Sequence, residues 1–377
     1  MATTTGNPQP TAQVSTGTTT VPQSTTTLDF SQATFKIPRT ESQMSQSGIA
    51  FKGSYSATLE ANGYLAGVEI NVQATGGSGS TTAAVGSADS PWNAITRISA
   101  LSPGGTKPFY TLTGYQAFLA AQFGGYRIGD LTKRPQYSAV QGSGDFGFSL
   151  YLPVEIIARM ALGPLANMNA ASLFTLQIEF AGDTTVYSTA PAPTLPTFTV
   201  TVRSWNYTKP QPKNIQGVAQ MDVPPLFGTV QYWTAQKSQP LSGETSYIST
   251  RVENLIRNLI FITRDATTGA RADYLPDLTR ITLNDTLIDQ ISPTIAADNA
   301  LRWYPELSPP SLPLGVYVWS RCDDFDGRAG EELRNKWLPT QNTDKLKFEG
   351  NFANSTTLEV ITNDVAAAGP YLTSFLG

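Results

Sequence analysis

The sequence ITRIS at residues 95–99 has a close copy, LTRIT, at residues 278–282. An apolar run with the character of a β-strand precedes each copy, at residues 63–74 and 255–264. One helix-like stretch with amphipathic spacing follows each copy, and three further strand-like runs follow each helix. The same order of strands and helix therefore occurs twice, which predicts a chain built from two similar β units.

The predicted helices occupy residues 112–123 and 293–304. In the first of them Tyr115, Phe118 and Leu119 recur at helical spacing. Each half also contains roughly six to eight short strands separated by turns, which is the pattern of a β-sandwich. A jelly roll is the eight-stranded form of that architecture. We therefore predict an all-β fold of two jelly-roll barrels in tandem, a double jelly roll, with short inserted helices.

Composition predicts four segments along the chain. Residues 1–47 are an N-terminal arm of low complexity, residues 48–206 the first jelly roll, residues 207–226 a linker rich in Pro and Gln, and residues 227–377 the second jelly roll with a short C-terminal tail. If the repeat is correct, the two jelly rolls share one strand order and superpose, with Arg97 of the first and Arg280 of the second at equivalent strand positions.

The N-terminal arm differs in composition from the rest of the chain. Residues 1–27 contain eleven Thr and no charged residue, so they lack the apolar content to pack a core. Apolar residues return at Leu28, Phe30, Phe35 and Ile37. We expect such a segment to become ordered only by lying on another surface.

The overall composition limits the possible functions. Charged residues make up only 14% of the 377 residues, well below the typical share of about 25%, which suggests a surface that is partly covered by partners. The net charge is −4 and the basic residues are scattered, which argues against nucleic-acid binding by the folded part. The chain has no histidine and a single cysteine, Cys322. An intrachain disulfide and a thiolate metal cluster are therefore excluded.

The strongest candidate for chemistry is the acidic segment DDFDG at residues 323–327, with Glu331 and Glu332 behind it. The oxygen ligands of Asp324 and Asp326 and the glycine after them are similar to part of a calcium loop, but the spacing misses the twelve-residue pattern. A pair of glycosidase carboxylates would need a set separation that nothing in the sequence defines. A solvated loop explains the segment better, so we predict no catalytic, cofactor-binding or metal site.

The remaining candidates have ordinary structural explanations. The six tryptophans are dispersed, and most lie at strand or helix positions where a core or interface role is favoured over sugar stacking. The basic pairs at residues 133–134 and at Lys209 and Lys213 are expected to be solvated loops. No secretory signal and no apolar run long enough to cross a membrane is evident, so we expect synthesis in the cytoplasm.

Several short strings resemble a known protein family. They are GYLAGV at residues 63–68, leading into the strand at 92–98, YLPV at 151–154, LQIEF at 176–180 and LPLGVY at 312–317. In these strings, and in order and length after residue 48, the chain resembles the double jelly-roll major capsid proteins of tailless icosahedral phages with an internal membrane, of the tectivirus type. Residues 1–27 depart from the charged, helical N-terminal segment that is frequent in that family.

The resemblance implies a structural subunit in the capsid of a virion and no enzymatic activity. Trimers of such a subunit carry six similar barrels and tile an icosahedral shell as pseudo-hexagons. The implied partners are further copies of the chain, vertex or minor capsid proteins and an internal membrane, with no cofactor and no sequence-specific nucleic acid. Two alternatives stay open at this level: a receptor- or glycan-binding spike protein with jelly-roll domains, and a carbohydrate-active β-sandwich enzyme.

Overall fold

A computed structural model of the chain describes residues 27–39, 44–78, 82–103, 108–124, 126, 131–189, 194–303, 312–320, 337–340 and 345–366. The first half contains α1 (Phe30–Ala33), β1 (Lys36–Arg39), β2 (Ser45–Ile49), β3 (Ser54–Leu59), β4 (Tyr64–Thr75), β5 (Val85–Gly86), β6 (Ile95–Leu101), β7 (Pro108–Leu112), α2 (Gly114–Phe123), β8 (Phe146–Pro153), β9 (Leu165–Ala166), β10 (Phe174–Phe180), α3 (Asp183–Val186), β11 (Tyr187–Thr189) and β12 (Thr197–Tyr207). The second half contains β13 (Val230–Lys237), β14 (Leu241–Ser249), β15 (Leu255–Asp265), β16 (Thr279–Leu283), β17 (Thr286–Ile291), α4 (Pro293–Trp303), β18 (Val316–Ser320), β19 (Leu338–Pro339) and β20 (Leu346–Ala366).

The first barrel consists of two facing four-stranded layers. One has the order β1-β12-β4-β8, with β2 also paired to β12, and the other has the order β3-β10-β6-β7. The strands alternate between buried and more exposed residues, as the period of two in β10 illustrates. Aromatic rings fill the space between the layers: the ring centroid of Phe198 lies 4.3 Å from that of Phe180 and 4.8 Å from that of Phe51.

The second barrel has the same order of layers. Its strand β20 is 21 residues long and serves both layers. Residues 356–366 of β20 lie between β13 and β15, which gives β13-β20-β15-β18, and residues 346–352 give β14-β20-β16-β17. The sequence predicts two separate strands here, at 345–352 and 357–362, whereas the structure runs them together as one continuous strand.

The two halves therefore share one strand order, as the repeat predicts. The helix α2 follows β7 in the first half, and α4 follows β17 in the same place in the second half. The two copies of the TRI string lie in the corresponding strands β6 and β16. Arg97 stands opposite Glu179 in the neighbouring strand, and Arg280 stands opposite Glu349. Each copy thus places its arginine beside a glutamate across the same pair of strands.

Two strands that pair with the first barrel begin before residue 48, the predicted start of that barrel. Strand β1 lies within the predicted arm, and β2 begins at Ser45; both pair with β12. Phe30 is 1% exposed and packs its ring edge-on against Tyr64 at 5.3 Å and Tyr207 at 6.0 Å. The surface that orders this segment is the chain's own first barrel. Residues 1–26 of the predicted arm lie outside the described residues.

The prediction that both inserted helices are amphipathic is wrong for α2. All ten residues of α2 are buried, including the polar Gln116 and Gln122. Helix α4, by contrast, buries Ala296 and Ala300 and exposes Ile295. The difference arises because α2 is covered by the first barrel on one side and by the second barrel on the other.

Candidate functional site at the junction of the two barrels

Helix α2 begins at a capping box on the first barrel. The backbone N–H of Gln116 donates to Thr113 Oγ1 at 3.3 Å, and the backbone N–H of Thr113 donates to Gln116 Oε1 at 3.0 Å. These two bonds satisfy donors that the first turn of a helix leaves free. The Gln116 side chain also reaches the second barrel, where its Nε2 donates to Glu359 Oε2 at 3.2 Å. The helix start is therefore held by both barrels.

The end of α2 is held by the second barrel. Arg257 and Asn258 of β15 are each 2% exposed. Arg257 Nη2 donates to the carbonyl oxygen of Gly124 at 3.1 Å, and Asn258 Nδ2 donates to that of Phe123 at 2.9 Å. The last carbonyls of a helix have no partner within the helix and carry partial negative charge, so a buried guanidinium and amide stabilise them.

A strand pair joins the two barrels below the helix. Strand β13 of the second barrel runs parallel to β7 of the first, with Trp233 opposite Tyr110 and Thr234 opposite Thr111. Trp233 is 1% exposed and lies against Gly124, where an added Cβ would stand 3.0 Å from the indole ring. Strands of both barrels thus form one continuous 12-stranded sheet.

A cluster of two arginines and two carboxylates occupies another part of the junction. Arg264 Nη2 lies 2.8 Å from Asp89 Oδ2, and Arg264 Nε lies 3.0 Å from Glu359 Oε1. Arg271 Nε contacts Asp89 Oδ1 at 2.6 Å, and its guanidinium lies 5.0 Å from the ring centroid of Tyr115. Asp89 belongs to the first barrel, whereas both arginines and Glu359 belong to the second. The cluster therefore joins the two barrels through ion pairs, and Lys237 of the second barrel lies 3.9 Å from Glu359 as a third cation.

Burial and pairing have opposite effects within this cluster. Burial lowers the pKa of Arg264, but the carboxylates of Glu359 and Asp89 raise it, and the net pKa is higher than that of a free guanidinium. Burial also raises the pKa of Tyr115, which stays neutral. Arg264 and its two carboxylate partners are each between 10% and 13% exposed, so water screens these ion pairs only weakly.

A second polar group surrounds Glu155, whose side chain is 2% exposed. Its carboxylate is paired with Lys36 of β1 and accepts a hydrogen bond from Tyr207 Oη at 2.8 Å. Gln231 of β13 donates its Nε2 to the Glu155 backbone oxygen at 2.6 Å, and Tyr126 Oη donates to Gln231 Oε1 at 3.2 Å. This group adds a further link between the first barrel and the opening strand of the second.

The charged residues of the junction are paired across the two barrels. An open groove of about 600 Å³ lies beside the charge cluster, with Asp89, Arg264 and Glu359 in its lining. Those three charges are paired with one another. In the described part of the chain, no group of three or more His, Cys, Asp and Glu residues is placed to hold a metal ion.

The structure places the sequence candidates as follows. Asp324, Asp326, Glu331, Glu332 and Cys322 all lie outside the described residues. Of the five tryptophans whose side chains the structure describes, four are buried, in agreement with a core or interface role: Trp92, Trp233, Trp319 and Trp337. Lys209 pairs with Asp222 at 3.7 Å in the segment between the barrels. Within the described residues, no helix has the length and apolar character needed to cross a membrane.

Sequence reasoning missed the polar residues that make the junction. The available signal is the run LIRNLIFITR at residues 255–264, in which Arg257 and Asn258 interrupt an otherwise apolar strand. A central strand that carries a charge in its middle needs a buried partner for that charge. The partner, the end of α2, lies more than a hundred residues away in the chain.

Comparison with solved structures shows the same fold. The major capsid protein of Sulfolobus Turreted Icosahedral Virus is 11% identical, with a TM-score of 0.63 over 90% of this chain and 98% of that chain. The capsid protein of the PBCV-1 virus is 13% identical, with a TM-score of 0.56 over 88% and 94%. The major capsid protein of Bacteriophage PM2 is 10% identical, with a TM-score of 0.53 over 89% and 99%. No family model and no curated protein matches the sequence. The chain has the double jelly-roll fold.

Proposed function

We propose that this protein is a major capsid protein, which forms trimers that tile the icosahedral shell of a virion. The observation that carries the proposal is the junction: two barrels of the same strand order are joined by α2, the β7–β13 pair and the Arg264 cluster. The proteins of similar fold are capsid proteins, and the likeness spans nearly the whole of both chains.

The proposed mechanism is one of shape. Three copies of a two-barrel subunit place six similar barrels around one axis, which is the number that a hexagonal lattice requires. Such a ring closes when each subunit offers one flank to a different flank of the next, a heterologous contact that repeats three times. A rigid junction matters because a flexible one would spread the barrels over many angles, and only some of those angles would close the ring.

We further propose that the protein acts without catalysis and without a cofactor. The charged residues at the junction form ion pairs that connect the two barrels, which supports a structural role. Vertex or minor capsid proteins and an internal membrane are proposed as further partners. The domain limits 207–226 for the linker and 227–377 for the second jelly roll stay predictions.

The first test is the oligomeric state in the absence of metal. We expect the purified protein to be a homotrimer in excess chelator, because apolar packing and hydrogen bonds hold the subunits rather than metal coordination. Mass photometry in chelator, followed by negative-stain images of assembled particles, measures both trimer and shell. A stable monomer, or a trimer that dissociates on chelation, would contradict the proposal.

The second test concerns residues 1–27. Ordering a residue costs roughly 1–2 kcal/mol, and this segment lacks the apolar side chains to offset that cost within one subunit. We expect its deletion to leave the melting temperature of the free protein nearly unchanged and to lower the yield of assembled particles. A deletion that also removes residues 28–35 is the matched control, because it takes away the buried Phe30 and should lower the melting temperature. A large fall in melting temperature for the shorter deletion would count against the prediction.

A further inference from the structure

A smaller groove lies where β7, β10 and β13 begin, between the first barrel and the opening strand of the second. Its volume is about 310 Å³. The first barrel contributes Phe109 of β7, Leu165 of β9 and Phe174 of β10, and β13 contributes Val230 and Tyr232. We call these five residues the apolar groove. No described residue that lines it is charged, in contrast to the groove beside the charge cluster.

The floor of the apolar groove is aromatic, and its rim is only half-buried. Phe109 and Phe174 are each 3% exposed, and their rings meet edge to face with centroids 5.9 Å apart. Leu165, Val230 and Tyr232 are half-buried and pack against the main apolar cluster. An apolar surface of this kind is stabilised when a further apolar side chain covers it and removes it from water. The groove therefore suits an uncharged, apolar occupant.

The last residue that the structure describes lies beside the apolar groove. Ala366, at the end of β20, stands directly opposite Val230 in the antiparallel pair with β13. Residues that stand opposite one another in such a pair project on the same face of the sheet, and neighbouring strands lie about 4.8 Å apart. The chain therefore leaves β20 next to the groove, one strand away from Val230.

The residues that follow β20 have the composition of an apolar occupant. Residues 367–377, which lie outside the described part of the chain, have the sequence AAGPYLTSFLG and contain no charge. Their large apolar side chains are Tyr371, Leu372, Phe375 and Leu376. Residues 1–26 contain only one methionine and two valines of comparable character. Of the N-terminal and C-terminal segments, the C-terminal one therefore matches the groove.

The C-terminal segment is long enough to reach the apolar groove. Gly369 and Pro370 are residues typical of turns, so they allow the chain to change direction after β20. Residues 367–370 span at most about 13–14 Å when extended, which is more than the roughly 4.8 Å between neighbouring strands. Tyr371 and the residues after it can therefore lie over β13 and the groove without any change in the described strands.

We infer that residues 371–377 bind the apolar groove of the same copy and cover Phe109 and Phe174 with their apolar side chains. The occupant is the chain's own segment because β20 brings it to the rim of the groove, and a tethered segment binds at a high effective concentration. Bound there, it connects the last strand of the second barrel to the first barrel. The inference goes beyond the proposed function and does not rest on it, since it concerns one copy alone.

Photocrosslinking of the full chain tests where the segment lies. A benzophenone amino acid replaces Phe375, and the same amino acid in place of Ile248, which is 47% exposed on β14, is the control. We expect position 375 to crosslink to peptides that contain Phe109, Leu165 or Phe174, in a product that runs as a monomer on a denaturing gel. The control should give none of these crosslinks. Crosslinks from position 375 that join two copies, or that miss the groove, would overturn the inference.

Charged substitutions test the apolar contact itself. Phe375→Asp in the segment and Leu165→Asp in the groove each place a carboxylate where it has no partner, so we expect each to release the segment. The expected result is stronger fluorescence of a dye that binds apolar surface, and a melting temperature lower by about 2–4 °C.

The matched control is Ser374→Asp, which adds the same charge at a polar position of the segment and should behave as the parent does. Equal effects of Ser374→Asp and Phe375→Asp, or no effect of Phe375→Asp, would contradict the inference and leave the proposed function standing. A monomeric parent chain would contradict the proposed function and leave this inference standing.

Discussion

Replacing Arg264 by alanine is expected to lower the free energy of unfolding by about 3–5 kcal/mol, because the change leaves two buried carboxylates without their shared cation. Arg264 contacts Asp89 at 2.8 Å and Glu359 at 3.0 Å, and its side chain is 13% exposed. Arg271 still neutralises Asp89, whereas Glu359 keeps only the largely exposed Lys237, 3.9 Å away, so most of the loss falls on Glu359. Urea denaturation of the parent and the variant at one protein concentration measures the difference.

The same chain offers a matched exposed pair as the control. Arg97 lies 3.8 Å from Glu179, and the two side chains are 53% and 55% exposed. Solvent screens such a pair, so Arg97→Ala is expected to cost about 0–1 kcal/mol. Equal losses from the two alanine variants would show that the Arg264 cluster does not hold the barrels together. A fall in trimer yield for Arg264→Ala alone would connect the junction to assembly.

Replacing Trp233 by alanine is expected to cost about 3–5 kcal/mol, because it opens a cavity between the barrels. Trp233 of β13 is 1% exposed and stands opposite Tyr110 of β7. Its indole ring also covers Gly124 at the end of α2. The cavity forms where the sheet passes from one barrel to the other, so we also expect fewer trimers. Thermal melting and mass photometry of the same sample report the two effects.

The control at this position is Trp233→Phe. The indole Nε1 of Trp233 has no hydrogen-bond partner among the described residues, so phenylalanine removes no bond and leaves only a smaller cavity. We expect a cost of about 1–2 kcal/mol and trimer formation close to that of the parent. If phenylalanine were as damaging as alanine, the contribution of Trp233 would lie in its polar atom and not in its volume.

Local patterns predicted most of the strands and the repeat. The ITRIS and LTRIT strings occupy corresponding strands, and the alternation at residues 173–180 agrees with β10. Strand β13 escaped prediction because its sequence, VQYWTAQK, is mostly polar toward its end. Its place in the sheet depends on pairing with β7 and β20, which local alternation does not encode. The sequence predicts two strands within β20, and the two parts of β20 do pair with different layers. That the chain continues from one layer to the other as a single strand depends on this long-range pairing, which local alternation does not encode.

The sequence by itself determined that this protein is a tandem of two β-sandwich units. A strand with one face in a core alternates apolar and polar side chains, and a short segment of sequence is enough to show that period. Only the tertiary structure decided how the units join. Arg257 meets the end of α2, and Arg264 meets Asp89, across more than a hundred residues of chain. It also decided that α2 is buried on every side, since the second barrel covers the face that a single barrel would leave in water. Such contacts depend on where distant segments arrive in space, and no local pattern carries that information.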